Sequence, residues 1–481
     1  MSGLDGRGVF LATISLALLA PAWMVVPLVL IAAAQIGLGA LNLTACLSRR
    51  PTRPASEAKG GQDIFFSVHL AIHDEPPALV ARTLRALAGQ VGAPGFEVIV
   101  LDNNTADVAR WQPVEALCRA HGSAFRFYHE DDVKGAKAGA LNIALARSHP
   151  RATHVVVIDA DYEVERDFLA VAASELHRRD DDFLQFPQAY REDTGRAAGI
   201  SLELADYFLR HARHADVAGA MLLTGTLSVI RRGALERVGG WNGDSVTEDA
   251  DLGVRLRRSG FTGRFVDRVA GRGILPLDLA GLCLQRYRWA SGNLQTALGG
   301  LGGLAPRTAF RVFSQLTAWA NLALPLAAGL IGGGAALAFG IDPGSAATLT
   351  AVCGLGLVGV GLSACLPMIL AALLQGRPPT RVLTDALAAR VALILPSALG
   401  TVDALLGRAD SFRRTAKDAA DASDRIDPAI PALAAAGLAL VVAAPLDWAG
   451  ITGATLLILP LPLSLATRSG LSAYRAALRP D

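Results

Sequence analysis

The sequence predicts a mostly parallel α/β domain set between apolar helices that cross a membrane, and three observations predict it. Charge is unevenly placed: from Val9 to Leu47 there is no charged residue, and apolar blocks return after about residue 314. Between them, from about 62 to 300, short β-rich runs alternate with helical stretches, as in a parallel sheet with crossover helices. Several of these runs end in acids, at the strand ends where such sheets hold their ligands. Composition agrees, since 52% of the 481 residues are hydrophobic, only 18% are charged, and the mean hydropathy is +0.37. A net charge of +2 provides no bulk field for a polyanion, so no nucleic-acid partner is expected. Five cysteines without a CxxC spacing argue against a disulfide framework or a thiolate zinc site.

The charge-free block from Val9 to Leu47 is long enough for two spans, with Pro21 and Pro27 offering the break. It is too long for the apolar part of a signal peptide and reads as a retained anchor. Arg49, Arg50 and Arg53 place its exit on the cytoplasmic side. In the middle region Ile64–Ile72, Glu97–Leu101 and Thr153–Ile158 read as strands, with helices such as Val80–Gln90 and Lys137–Arg147 between them. Apolar blocks follow at about 314–340, 346–374, 428–447 and 450–466, each roughly of span length. The apolar stretch 381–406 is flanked on both sides by arginines, Arg377 and Arg381 before it and Arg408, Arg413 and Arg414 after it. It therefore reads as an interfacial helix, because one crossing cannot begin and end on the same side. Arg468, Arg475 and Arg479 mark a short cytoplasmic tail.

Three motifs carry candidate chemistry. Asp159-Ala160-Asp161 puts two hard carboxylates one residue apart after a buried strand, a spacing suited to Mg²⁺ or Mn²⁺ on a diphosphate, or to capping a following helix. Thr247-Glu248-Asp249 is either a reactive acid pair or a helix N-cap. The run Gln285-Arg286-Tyr287-Arg288-Trp289 is either a binding stretch or a basic, aromatic segment at a membrane surface. His211 and His214, three apart with no third ligand nearby, read as an amphipathic face over the membrane, and Gly299–Gly303 reads as a hinge.

Taken in order, the motifs resemble those of the membrane-embedded, processive family 2 glycosyltransferases, the group that includes bacterial cellulose synthase and the β-1,3 and mixed-linkage glucan synthases. The resemblance runs from about Phe65 to Lys417. It rests on His73-Asp74-Glu75-Pro76-Pro77, Leu101-Asp102-Asn103-Asn104, Lys137 to Asn142 and Asp159-Ala160-Asp161, then on Thr224-Gly225-Thr226, Thr247-Glu248-Asp249 and the Gln-x-x-Arg-Trp of Gln285, Arg288 and Trp289. A later match, Phe412-Arg413-Arg414-Thr415-Ala416-Lys417, resembles the Phe-x-x-Thr-x-Lys gating loop of these synthases.

The resemblance implies a glycosyltransferase-A domain, inserted in the cytoplasm between N- and C-terminal transmembrane helices, and it implies residue roles. Glu75, Asp102 and Lys137 match residues that hold uridine and its diphosphate, with Arg288, Thr415 and Lys417 also at the diphosphate. Asp159 and Asp161 match the pair that serves the nucleotide and its Mg²⁺ or Mn²⁺. Asp249 matches the general base and Glu248 stands beside it. Gln285, Trp289, Thr224 and Gly225 match the acceptor site. The reaction implied is inverting, processive transfer of glucose from UDP-glucose to a growing β-glucan, at the inner membrane of a bacterium. A non-processive transfer to a lipid or short acceptor is the alternative. Implied partners are the glucan chain, membrane lipid and separate periplasmic export or regulatory subunits. Ala71, His73 and Asp74 depart from the family's Pro-x-Tyr-Asn-Glu, and Asn103 stands where cellulose synthases carry a second Asp. With Asp102–Thr105 and Glu75-Pro76-Pro77, the likeness leans to the β-1,3 and mixed-linkage synthases. The expected division is 1–48 membrane helices, 62–300 catalytic domain, 301–376 interfacial segment and hairpin, 381–427 interfacial helix and gate, and 428–481 hairpin and tail.

Overall fold

The computed structural model describes residues 63–191, 194–320, 365–375, 379–408, 425–443 and 448–478, with isolated positions within 8–37 and 323–331 and at 422 and 423. The positions described between 8 and 37 are helical. The flank Arg49, Arg50 and Arg53, the block 346–364, and the segment Phe412–Lys417 with Thr415 and Lys417 lie outside the described residues.

The catalytic-sized region forms a seven-stranded sheet in the order β3-β2-β1-β4-β7-β6-β8. β1 (Phe66–Ile72), β2 (Phe96–Asn103), β3 (Phe125–Glu130) and β4 (His154–Val157) are parallel, with β1 between β2 and β4. β1 and β2 are buried on both faces because helices cover them, so even Ser67, His69 and Glu97 are enclosed. The second half departs from a purely parallel sheet: β7 (Ser228–Arg231) runs antiparallel to both β4 and β6 (Phe183–Gln185), and β8 (Gly263–Phe265) is parallel to β6. A two-stranded ribbon joins β5 (Glu163–Val164) to β9 (Gly271–Arg272).

Side chains alternate across the sheet and feed two cores. On one face Val156 and Val229 pack with Val80, Leu84 and Leu87 of α1 (Pro77–Ala88) and with Val114 of α2 (Val108–Ala120). Phe168 of α4 (Phe168–Arg178) completes that layer. On the other, Val155, Val157 and Ile230 pack with Leu141 of α3 (Ala136–Ala146) and, further along, Tyr207 of α5 (Arg196–Tyr207). A π-helical turn, Phe208–Ala212, leads from α5 into the short α6 (Arg213–Val217), and α7 is Arg232–Arg237. Leu252 and Leu256 of α8 (Glu248–Arg258) join the second core. Each strand is thus clamped on both faces, and the loops at the strand ends inherit a rigid base.

Beyond the sheet, α9 (Leu279–Leu298) and α10 (Pro306–Leu316) are linked through Gly300 and Gly303, both at positive φ, which fits the hinge read from the glycine run. α11 is Leu366–Gln375. Among the described residues, two stretches are by length and composition apolar enough to cross a membrane, Thr380–Leu405 and Gly453–Ala477. The first divides at Leu393 into α12 (Thr380–Ala392) and α13 (Ile394–Leu405) and packs on the catalytic region: Gly199 of α5 leaves room for Asp385, and Gly400 lies against the Tyr287 backbone. α14 (Ala429–Ala443) and α15 (Trp448–Ile458) lead to α16 (Pro460–Ala477). The segment read as a tail is the second half of α16. Leu471 and Tyr474, three apart on one face, are buried, and the Tyr474 hydroxyl donates to Arg191 O (3.1 Å) and accepts from Leu275 N (3.2 Å).

Candidate active site

The carboxyl ends of β1, β2 and β4 open into a cleft of about 450 Å³. Glu75, Lys137, Asp159, Asp161, Thr224, Gly225, Glu248, Asp249, Gln285, Arg288 and Trp289 all line it, although they come from segments more than 200 residues apart. Each arrives by a loop or helix start anchored on the sheet. After β1 the chain turns through Asp74 at φ 55, a left-handed conformation that Asp tolerates, and Glu75 accepts a hydrogen bond from His73 N. Asp102 is placed differently, below the cleft wall and 1% exposed. Its carboxylate accepts from Thr105 Oγ1 and binds His129 Nδ1, each at 2.7 Å, and burial pushes its pKa up. His129 stacks on Trp111, and the neighbouring Asn103 and Asn104 reach the cleft instead.

Asp159 and Asp161 lie on a turn that leads into β5 rather than into a helix, so they cap nothing. Asp159 N donates to Thr226 Oγ1 (3.0 Å) and its carboxylate takes the Lys137 ammonium; Asp161 Oδ2 accepts from Ile274 N at 3.0 Å. Burial pulls the Lys137 pKa down, but Asp159 and Glu248 outweigh it and hold Lys137 above the ordinary lysine range, so it stays charged. Its Nζ is also 4.0 Å from Glu248 Oε1. Thr247 occupies the N-cap position of α8, yet its hydroxyl caps nothing. Asp249 is in the first turn, Oδ1 accepting from Ala250 N at 2.9 Å. Burial first and the Glu248 charge second raise its pKa to about 7, against the pull of Lys137. Gly225, at φ +87, lets the backbone pass beside this acid: a Cβ there would stand 3.3 Å from Asp249 Oδ2.

Three buried polar atoms on the cleft lining have no hydrogen-bond partner among the described residues, Thr224 Oγ1, Thr247 Oγ1 and Gln285 Oε1. Buried polar groups are normally satisfied, so these are open to a ligand. Trp289 stacks on Trp319 (5.6 Å), which stacks on Tyr207 (6.0 Å). Beside them a smaller cavity of about 60 Å³ shares Asp249, Thr224 and Trp289 with the cleft and reaches Leu204, Phe208 and Leu316.

The lining holds five carboxylates, Glu75, Asp159, Asp161, Glu248 and Asp249, against the two cations Lys137 and Arg288. Such a cleft repels a diphosphate unless a dication enters with it, so the donor set fits Mg²⁺ or Mn²⁺. Among the described residues no group of three His, Cys, Asp or Glu is placed to hold a metal alone. Two carboxylates, with phosphate and water oxygens supplying the remaining ligands, suit Mg²⁺.

Sequence reasoning missed what lies under the Gln-x-x-Arg-Trp segment. Arg286, 0% exposed, donates to Glu203 through Nη1 (3.1 Å) and Nη2 (2.6 Å). Arg390 of α12 binds both Glu203 (3.2 Å) and Asp206 (2.6 Å), and Arg210 closes the network on Asp206. The Arg286 guanidinium also lies 4.0 Å over Trp319. The available signal was an acid, Glu203, between Ile200 and Leu204 on an otherwise buried helix face.

The profile of "Glycosyl transferase family group 2" matches residues 154–374, and that of "Glycosyl transferase family 2" matches residues 67–239. The chain carries a family 2 glycosyltransferase domain. It is related to polysaccharide synthases: it is 28% identical over 239 residues to the cellulose synthase catalytic subunit (UDP-forming) of Xanthomonas axonopodis pv. citri, covering 48% of this chain and 31% of that protein. It is 29% identical over 215 residues to the probable glucomannan 4-beta-mannosyltransferase 1 of Arabidopsis thaliana, covering 43% and 37%. The chain thus matches about a third of the length of these relatives. In fold it is similar to a mannosyltransferase of Pyrobaculum calidifontis solved with GDP-Man and Mn²⁺, at a TM-score of 0.53 and 21% identity, over 74% of this chain and all of that one. That likeness identifies the glycosyltransferase-A fold.

Proposed function

We propose that the chain is an inverting, membrane-bound hexosyltransferase that polymerises glucose from UDP-glucose into a β-glucan, of β-1,3 or mixed linkage, and passes it across a bacterial inner membrane. The observation that carries the chemistry is Asp249: a half-buried carboxyl of raised pKa, facing the same cleft as a charged lysine, a carboxylate pair and an aromatic platform. Glu75, Lys137 and Arg288 bind the nucleotide diphosphate, while Asp102 acts from below by holding His129. Thr415 and Lys417 are proposed to close over it. Gln285, Thr224 and Gly225 position the acceptor, whose terminal sugar stacks on Trp289. Asp249 takes the acceptor hydroxyl proton as that oxygen bonds to the anomeric carbon. The bond from that carbon to the diphosphate breaks on the opposite face, and the leaving group takes the electron pair. Asp159 and Asp161 would hold Mg²⁺ or Mn²⁺, which supplies charge neutralisation at the diphosphate.

The relatives' names support a polysaccharide product, and the apolar helices support a membrane location with 381–406 at the interface. The leucine-lined cavity beside Asp249 favours a second reading, transfer to a lipid acceptor. Inverted membrane vesicles given labelled UDP-glucose or GDP-mannose separate the two. A high-mass product from UDP-glucose, cut by a β-1,3 or mixed-linkage glucanase, is expected. A small, solvent-extractable product would establish the lipid reading, and incorporation only from GDP-mannose would reject glucose.

A further inference from the structure

His211 and His214 read from sequence as an amphipathic face over the membrane, and in the structure His211 is buried and His214 half-buried. Both line a small cavity under α10, together with Arg210, Arg311, Ser314 and Gln315. On these residues four polar atoms are buried without a hydrogen-bond partner among the described residues: Arg210 Nη1, His211 Nε2, His214 Nε2 and Gln315 Oε1. The rest of the Arg210 and Gln315 side chains is committed. Asp206 holds the other Arg210 nitrogens, and Gln315 Nε2 donates to Ala220 O (2.8 Å) and Arg311 O (3.1 Å), which leaves Oε1 as a fixed acceptor. Buried atoms of this kind are normally satisfied, and here four share one cavity. Two guanidinium groups face two imidazoles whose pKa values are lowered to about 3 and 4, by burial first and then by Arg210 and Arg311 respectively. Asp206 already pairs with Arg210, so the charge offered to an incoming anion is that of Arg311 at the mouth.

The surroundings say where the anion comes from. α10 turns Phe310 and Phe313 outward, each 45% exposed, with Arg307 on the same exposed face. Leu298 (55%), Leu405 (62%) and Leu406 (43%) are exposed beside the cluster that Leu294, Ala297, Val312, Leu316 and Ala404 form beneath them. An exposed apolar patch rimmed by arginines is the surface an anionic bilayer covers.

We propose that this cavity binds the phosphodiester of an anionic membrane lipid whose headgroup carries a hydroxyl. The space is about 10 Å³, one water's worth, so it admits a single oxygen, that of the headgroup hydroxyl, and the phosphate stays at the mouth beside Arg311. Inside, Arg210 Nη1 and the two imidazoles donate to that hydroxyl oxygen. Gln315 Oε1 accepts from the headgroup hydroxyl, which a glycerol headgroup supplies and choline does not.

The test is native mass spectrometry of the full chain purified in detergent, with phosphatidylglycerol or phosphatidylcholine added, and with inorganic phosphate as competitor. The chain is expected to retain one phosphatidylglycerol about tenfold better than phosphatidylcholine. Arg311→Ala, and Ser314→Glu at the half-buried mouth, should each abolish that preference, while Arg307→Ala, losing the same charge from the exposed face of α10, should keep it. Equal retention of the two lipids by the unaltered chain overturns the proposal. So does a preference that survives both Arg311→Ala and Ser314→Glu. Displacement of the lipid by an equal concentration of inorganic phosphate would assign the site to free phosphate and overturn the lipid source.

Discussion

Glu203→Gln keeps the size of the side chain and removes one charge from the network that joins α5, α9 and α12. Glu203 and Arg286 are 0% exposed, Arg390 is 3% and Asp206 is 1%, so water cannot replace the lost partner. Four hydrogen bonds reach the Glu203 oxygens, two from Arg286 and two from Arg390. Glutamine accepts at one oxygen only and turns its amide N–H groups toward a guanidinium. Breaking a buried pair by removing one partner costs about 3–5 kcal/mol, because a charge is left buried and uncompensated. For a domain of this size each kcal/mol is worth roughly 2–4 °C, so Glu203→Gln should melt about 6–20 °C lower than the unaltered chain in detergent. Adding Arg390→Met restores the original charge balance of the network and should recover part of the loss, a coupling read from a double-mutant cycle. A Glu203→Gln melting point within 2 °C of the parent, or strictly additive effects of the two substitutions, would refute the reasoning.

Other consequences follow from the site itself. Asp249 works as a base only when deprotonated, and burial holds its proton up to about pH 7. The kcat/KM profile should therefore rise about tenfold per pH unit below pH 7 and flatten above it, whereas a break near pH 4 would contradict the assignment. Gly225→Ala puts a methyl 3.3 Å from Asp249 Oδ2 at a positive φ and should cut kcat at least about tenfold with the fold intact by circular dichroism. Chelation should abolish turnover, with Mg²⁺ or Mn²⁺ restoring it, since the cleft carries more carboxylates than cations.

How far the sequence reached follows from what each element buries. β1, β2 and β4 were legible as short, mostly apolar β-rich runs, in which Ser67, His69 and Glu97 are buried with their apolar neighbours, and α1 and α3 as the helical stretches between them. β3, Phe-Arg-Phe-Tyr-His-Glu at the sheet edge and mostly half-buried, carries no such run, and β6 and β8 are three residues each, too short to show a period. The antiparallel β7 follows from pairings across more than 70 residues, which local patterning does not encode. At the site, acids after strands pointed to Glu75, Asp159 and Asp161, while Asp249 was singled out by its motif and the resemblance that motif carries. Nothing local showed that Asp102 lies beneath the wall, or that Arg286, two residues from a cleft cation and similar in type, faces the opposite way into a buried ion network.

The most direct test separates binding from transfer in one variant. Asp249→Asn keeps the shape of the acid and leaves Glu75, Lys137, Asp159, Asp161 and Arg288 in place on the cleft wall, where the diphosphate is proposed to bind. Nucleotide-sugar affinity, measured by calorimetry on the full chain in the presence of Mg²⁺ or Mn²⁺, should stay within about threefold of the parent. Single-turnover transfer should fall at least about 10²–10⁴-fold, the range assigned to a positioned base. Transfer within a few-fold of the parent would show that another group removes the acceptor proton and would contradict the account.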